Sequence, residues 1–81
     1  MKYEDLKSGD VFNIENTPSY PKLKLEGGYV DMRDKIVNKT GDTVKSREVI
    51  LMSVTDIAKQ FDETEGASQE WIDGAKSNFL K

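Results

Sequence analysis

Between Tyr20 and Asp34 the chain reads Tyr-Pro-Lys-Leu-Lys-Leu-Glu-Gly-Gly-Tyr-Val-Asp-Met-Arg-Asp, with apolar residues at alternate positions on both sides of a glycine pair. Alternation with a period of two is the pattern of a strand buried on one face. Taking Gly27–Gly28 as a two-residue hairpin loop, in which both glycines tolerate positive φ, sets a register. Glu26 then faces Tyr29, Leu25 faces Val30, Lys24 faces Asp31, Leu23 faces Met32 and Lys22 faces Arg33. One side collects Leu23, Leu25, Val30 and Met32. The other collects Lys22, Lys24, Glu26, Tyr29, Asp31 and Arg33, with Lys24–Asp31 as a cross-strand charge pair. A slip of one residue would mix the two sets, so the pattern specifies the faces. The polar side is expected to be open surface.

The same pattern extends over the rest of the first two thirds of the chain. Tyr3 and Leu6 are three apart in a short helical turn that Gly9 stops. Asp10–Glu15 predicts a strand with Phe12 and Ile14 on one face. Asn16–Ser19 breaks it with turn residues. Lys35–Met52 predicts two more strands around Gly41–Asp42, joined by a longer loop or a bulge. The apolar run Val49–Met52 suits a strand covered on both faces.

After Val54 the period changes. Val54, Ile57, Ala58 and Phe61 fall at i, i+3, i+4 and i+7, the stripe of an amphipathic helix. Ser53 or Thr55 is its expected cap and Gly66 its expected terminator. A second helix is expected from about Gln69 to Leu80, capped by Ser68, with Trp71, Ile72, Ala75 and Phe79 as its apolar stripe. Gly74 inside it costs about 1 kcal/mol relative to alanine, so this helix needs something to pack against. The expected fold is α+β: one domain, a small curled antiparallel sheet (SH3-like or a partial barrel) over residues 1–54, followed by one or two C-terminal helices in an acidic segment, 55–81.

Composition narrows the chemistry. The 81 residues contain neither cysteine nor histidine. Disulfides, thiolate metal sites, the usual zinc ligands and a Ser-His-Asp triad are therefore excluded. Residues 1–54 hold nine basic and nine acidic residues; residues 55–81 hold three basic and six acidic, so the whole net charge of −3 lies in the tail. Such a chain lacks the electrostatic footprint of a phosphate-backbone binder. No stretch approaches the roughly 18 apolar residues of a membrane span. The N-terminus has no apolar run of a signal peptide, and a cytoplasmic location is expected.

The segment Leu-Lys-Ser-Gly-Asp-Val-Phe (Leu6–Phe12), followed by a Tyr–Lys pair and then Gly-Tyr-Val-Asp (Gly28–Asp31), resembles a recurring kind of small bacteriophage and bacterial β-domain protein. In those proteins a Leu-Lys-x-Gly-Asp-x-Phe motif opens the domain and a Tyr-x-Lys strand leads through a glycine turn. The resemblance covers about residues 3–50. It implies a β-domain of phage or bacterial origin and carries no assigned activity.

No recognised catalytic constellation is present. Asp31 and Asp34 flank Arg33, but no Asp-x-Asp-x-Asp-Gly loop surrounds them to hold a hard cation. Gly-Asp-Thr-Val-Lys-Ser (Gly41–Ser46) lacks the Gly-Lys-Ser/Thr ending of a phosphate loop. No enzymatic activity, cofactor or metal is expected. The expectation is a non-enzymatic protein-binding domain, as in a phage-encoded modulator or inhibitor of a host protein. Its contact residues would be Tyr20, Lys22, Lys24, Tyr29 and Arg33 on the hairpin, with Trp71 and Phe79 in the tail. Single-stranded nucleic-acid binding by the same mixture of aromatic and basic groups is the alternative, and a structural virion component is a further one.

Overall fold

A computed structural model of the protein describes residues 1–16 and 19–80. The break expected at Thr17 and Pro18 lies outside the described residues. The strands are β1 (Val11–Ile14), β2 (Lys22–Leu25), β3 (Gly28–Asp31), β4 (Val37–Lys39) and β5 (Val49–Leu51). The helices are α1 (Asp42–Lys45), α2 (Val54–Phe61) and α3 (Glu65–Phe79). The strands form one antiparallel sheet in the order β4-β3-β2-β1-β5, open at both edges. The fold is α+β, as the change of period at Val54 predicts.

The apolar side of the hairpin is the floor of the main core. Leu23, Leu25, Val30 and Met32 are buried there with Val11 of β1, Ile57 of α2 and Ile72 of α3. Both helices lie on this face. Ser53 caps α2, its hydroxyl accepting from the Asp56 amide at 3.1 Å while the Asp56 carboxylate accepts from the Ser53 amide at 3.0 Å. Each group thus satisfies a donor that a helix start leaves orphaned.

The helix junction differs from expectation. α2 ends at Asp62, which takes the left-handed conformation (φ 52°), and Gly66 lies inside the first turn of α3. Thr64, not Ser68, caps α3: its hydroxyl accepts from the Ala67 amide at 3.1 Å. Ser68 is fully buried, and its hydroxyl donates to Glu63 at 2.6 Å. A glycine and a serine near a helix start have the composition of stop and cap, but Thr64 stands four residues earlier with the extended backbone a cap needs.

The hairpin register also differs. Lys22 faces Asp31, Leu23 faces Val30, Lys24 faces Tyr29 and Leu25 faces Gly28. The loop is Glu26–Gly27, with Gly27 alone at positive φ (75°). Gly28 is a strand residue, paired with Leu25 and Lys39, and only glycine fits there because a Cβ would run into the Asn38 carbonyl of β4. Moving the loop by one residue shifts the pairing by two, which preserves the faces and changes only the partners. It also replaces the unfavourable Lys22–Arg33 pair by Lys22–Asp31.

The segment after β4 is corrected more deeply. β4 and β5 do not form a hairpin. The chain leaves one edge of the sheet, makes the single turn α1, and joins the other edge beside β1. Gly41 is extended and starts α1, with Asp42 in its first turn and Lys45 in its last. β5 is not covered on both faces: Val49 is buried, whereas Ile50 and Leu51 are about half exposed. An apolar run of this length is compatible with an edge strand as well as a central one.

Candidate binding site

The hairpin side expected to be open is covered. Tyr3, Leu6, Phe12 and Val49 form a second buried cluster there, with Tyr29 and Val44 packed against it. The rings of Tyr3, Phe12 and Tyr29 meet edge to face, with centroids 5.6–6.0 Å apart. The 3-10 turn Tyr3–Asp5 brings Tyr3 in, and its hydroxyl shares a 2.8 Å hydrogen bond with Thr40. Burial raises the Tyr3 pKa above that of a free phenol. Gly9, at positive φ, shapes the Lys7–Asp10 turn and donates to the Lys24 carbonyl at 2.8 Å.

Lys22 is 6% exposed. Its stem lines a cavity of about 200 Å3 floored by Phe12 and Val49. Its ammonium donates to the Ser19 hydroxyl at 3.1 Å and the Tyr20 carbonyl at 2.9 Å, and lies 3.8 Å from the Asp31 carboxylate. Desolvation pushes its pKa down, partly offset by Asp31 and Asp34. Ser19 is the hub of this region. Its hydroxyl donates to the Asn13 side chain at 2.8 Å, and its carbonyl accepts from both Asn13 and Gln60 at 2.8 Å. The start of β2 is thereby tied to β1 and to α2. Lys24 places its ammonium 5.5 Å from the Tyr3 ring, a cation–π contact within the covered side.

Tyr20 and Arg33 lie elsewhere. The Arg33 guanidinium stands over the Tyr20 ring at 5.1 Å. The Tyr20 ring lies 5.1 Å from that of Phe61, which meets Trp71 edge-on at 5.4 Å. This run borders a shallow groove of about 690 Å3, lined by Ser19, Tyr20, Asp31, Arg33, Asp34, Gln60 and Phe61. The two carboxylates shape the groove: Asp31 accepts from the Arg33 amide at 2.9 Å and Asp34 from the Ile36 amide at 3.0 Å.

The seven residues expected to make contacts therefore fall into three places. Tyr20 and Arg33 meet at the groove. Lys22, Lys24 and Tyr29 are built into the other side of the sheet. Trp71 and Phe79 are half-buried and pack on their own sheet, so α3 completes the protein's own core. The groove also takes Phe61 and Gln60 from α2, which the sequence pattern assigned only to a helix. Phe61 ends the i+7 stripe beyond Ile57 and Ala58, and a large ring at that place reaches past the core edge.

Compared with protein families, curated proteins and solved structures, the chain matches none. Among the described residues no helix is long and apolar enough to cross a membrane.

Proposed function

We propose that the protein is a small non-enzymatic module that binds another protein through the groove between Ser19–Tyr20, the Asp31–Asp34 turn and the end of α2. The observation that carries this reading is the stacked Arg33–Tyr20–Phe61 run with Asp31 and Asp34 on the same rim. Tyr and Arg are the residue types that dominate binding hot spots, and here they are held in place before any partner arrives. The rim carries both signs of charge, which suits a protein surface better than a phosphate chain. The opening motif's resemblance to phage and bacterial proteins makes a modulator of a bacterial protein the favoured role.

Affinity capture from a bacterial lysate tests it. Wild-type protein retains a partner that Tyr20→Ala and Arg33→Glu both lose, while Lys59→Ala on the outer face of α2 keeps it. A partner retained by both groove variants sinks the assignment. A labelled oligothymidylate at low salt should not shift; a shift that fades steeply with added salt would replace the protein partner by single-stranded nucleic acid.

A further inference from the structure

The two edges of the sheet are not equivalent. On β5 the outward-facing groups are partly used: the Val49 amide donates to the Met1 carbonyl at 2.8 Å, and the Arg47 carbonyl accepts from the Tyr3 amide at 2.9 Å. Among the described residues β4 has no such cover. The Thr40 amide donates inward to the Gly27 carbonyl, and Asn38 lies opposite Tyr29. By the alternation of an antiparallel ladder, Asn38 turns its amide and carbonyl toward β3, while Val37 and Lys39 turn theirs outward. Ile36 and Val37, on this edge, are 60% and 54% exposed.

We propose that β4 pairs with β4 of a second copy of this chain, antiparallel about a two-fold axis at Asn38, so that two open sheets become one. In this register Val37 of each copy lies opposite Lys39 of the other. The four outward groups of each strand then all find partners, and Ile36 lies opposite Thr40. The adjacent registers fail. Shifting one way places Lys39 opposite Lys39, and like charges directly opposite are destabilising. Shifting the other way places Lys35 opposite Lys39, again like charges, and the Lys35 amide is already spent on the Asp31 carbonyl at 3.0 Å. Charge and donor supply thus select one pairing. A five-residue edge contact falls below the roughly 1,200 Å2 of a standard interface, so this dimer is weak and forms as concentration rises. The edge is separate from the Tyr20–Arg33 groove, and the pairing stands or falls independently of it.

The chain has no cysteine, so single-cysteine variants report the register cleanly. Residue 38 faces itself across the axis as a non-hydrogen-bonded pair, with Cα atoms about 4.5 Å apart, within disulfide range. Residue 37 of one copy is diagonal to residue 37 of the other, at roughly 7–8 Å, outside that range, and replacing it leaves every lysine that selects the register in place. Under mild oxidation Asn38→Cys should form covalent dimer about tenfold faster than either Val37→Cys or Lys59→Cys. If Val37→Cys is as fast as Asn38→Cys, the register is wrong. If Asn38→Cys is no faster than Lys59→Cys, the pairing is wrong. Sedimentation of the unaltered chain should show a mass rising from 9.2 kDa toward twice that value with concentration. Val37→Pro, which removes one outward amide and no bond within the chain, should hold it at the lower mass with an unchanged circular dichroism spectrum. An unaltered chain that stays monomeric to millimolar concentration overturns the proposal.

Discussion

On the helix side of the sheet the buried residues are aliphatic, from Val11 and Leu23 through Met32 to Ile57 and Ile72. On the opposite side they are Tyr3, Phe12, Leu6, Val49 and a lysine, with the half-buried Tyr29 completing an aromatic trio. The first side is closed by two helices that follow the sheet. The second is closed by the N-terminal turn and by α1, both very short. The difference shows two ways to bury a sheet face in a small domain. One uses apolar side chains at regular spacing. The other uses long side chains whose bodies are apolar and whose polar tips reach a partner or water.

The largest test of that comparison removes one large side chain from each side. Phe12→Ala should cost about 3–5 kcal/mol and Leu23→Ala about 2–5 kcal/mol. For 81 residues the total stability is on the order of 4–12 kcal/mol, so either variant stands close to unfolding. Denaturant titration in a Tyr20→Phe background, read separately by Trp71 on the helix side and by the absorbance of Tyr3 and Tyr29 on the other, should give coincident transitions. Tyrosine signals lost ahead of Trp71 in Phe12→Ala would show that the two sides are separate cooperative units.

Next in size is Gly28→Ala, expected to destabilise by about 1–3 kcal/mol as β4 is forced off the sheet. Amide exchange should then rise at Asn38 and Thr40 while β1 and β2 stay protected. Protection that persists at β4 would mean that the strand yields without detaching.

The helix side can be probed at its cap. Ser53→Ala should cost about 0.5–2 kcal/mol. Its hydrogen bonds with Ser53 hold the Asp56 carboxyl below its ordinary value. A depressed carboxyl contributes stability that is present above its unfolded pKa of 3.8 and is lost as pH falls through its folded pKa. Ser53→Ala keeps the backbone amide that donates to this carboxylate, so the carboxylate is tested by Asp56→Asn, and the gap between wild type and Asp56→Asn should narrow below about pH 4. A gap between those two that is independent of pH would remove the Asp56 charge from the cap.

The smallest effect belongs to the aromatic side. Tyr3→Phe deletes the bond to Thr40 and should cost about 0.5–1.5 kcal/mol near neutral pH. The Tyr3 pKa is raised in the folded state, so its contribution is complete below pH 10 and fades as pH rises through the folded pKa. The advantage of wild type over Tyr3→Phe should accordingly shrink in alkali.

The helix side was legible in the sequence because its signal is periodic. The i, i+3, i+4, i+7 stripe identified α2, and the alternation of Leu23, Leu25, Val30 and Met32 identified the buried face of the hairpin. The register escaped because a shift of two residues leaves every side chain on the same face. Two things distinguish the loops: the like-charge Lys22–Arg33 pair, which the sequence already shows and the observed register avoids, and the tight approach of Gly28 to β4, a tertiary fact. The second core was illegible for another reason. Lys22, Lys24 and Tyr29 count as polar in any alternation, and nothing local reveals that Tyr3 and Val44 will fold over them. The groove was half legible: Tyr20 and Arg33 stood out as an aromatic beside a cation, while Ser19, Gln60 and Phe61 reach it only because α2 lies against the start of β2.

The path of the chain from β4 to β5 has a kinetic consequence. β1 through β4 form a meander in which each strand pairs with its successor, so these pairs close quickly and early. β1 must wait for its other neighbour, since Phe12 meets Leu51 and Ile14 meets Val49 only after α1 has been made and the sheet crossed. On a growing chain the β1 edge stays open through the synthesis of the whole meander. During that interval β1, which carries Phe12, adds a second open edge to that of β4 and can template the wrong chain. Joining of β5 ends it, and the same strand delivers Ser53 to start the helices.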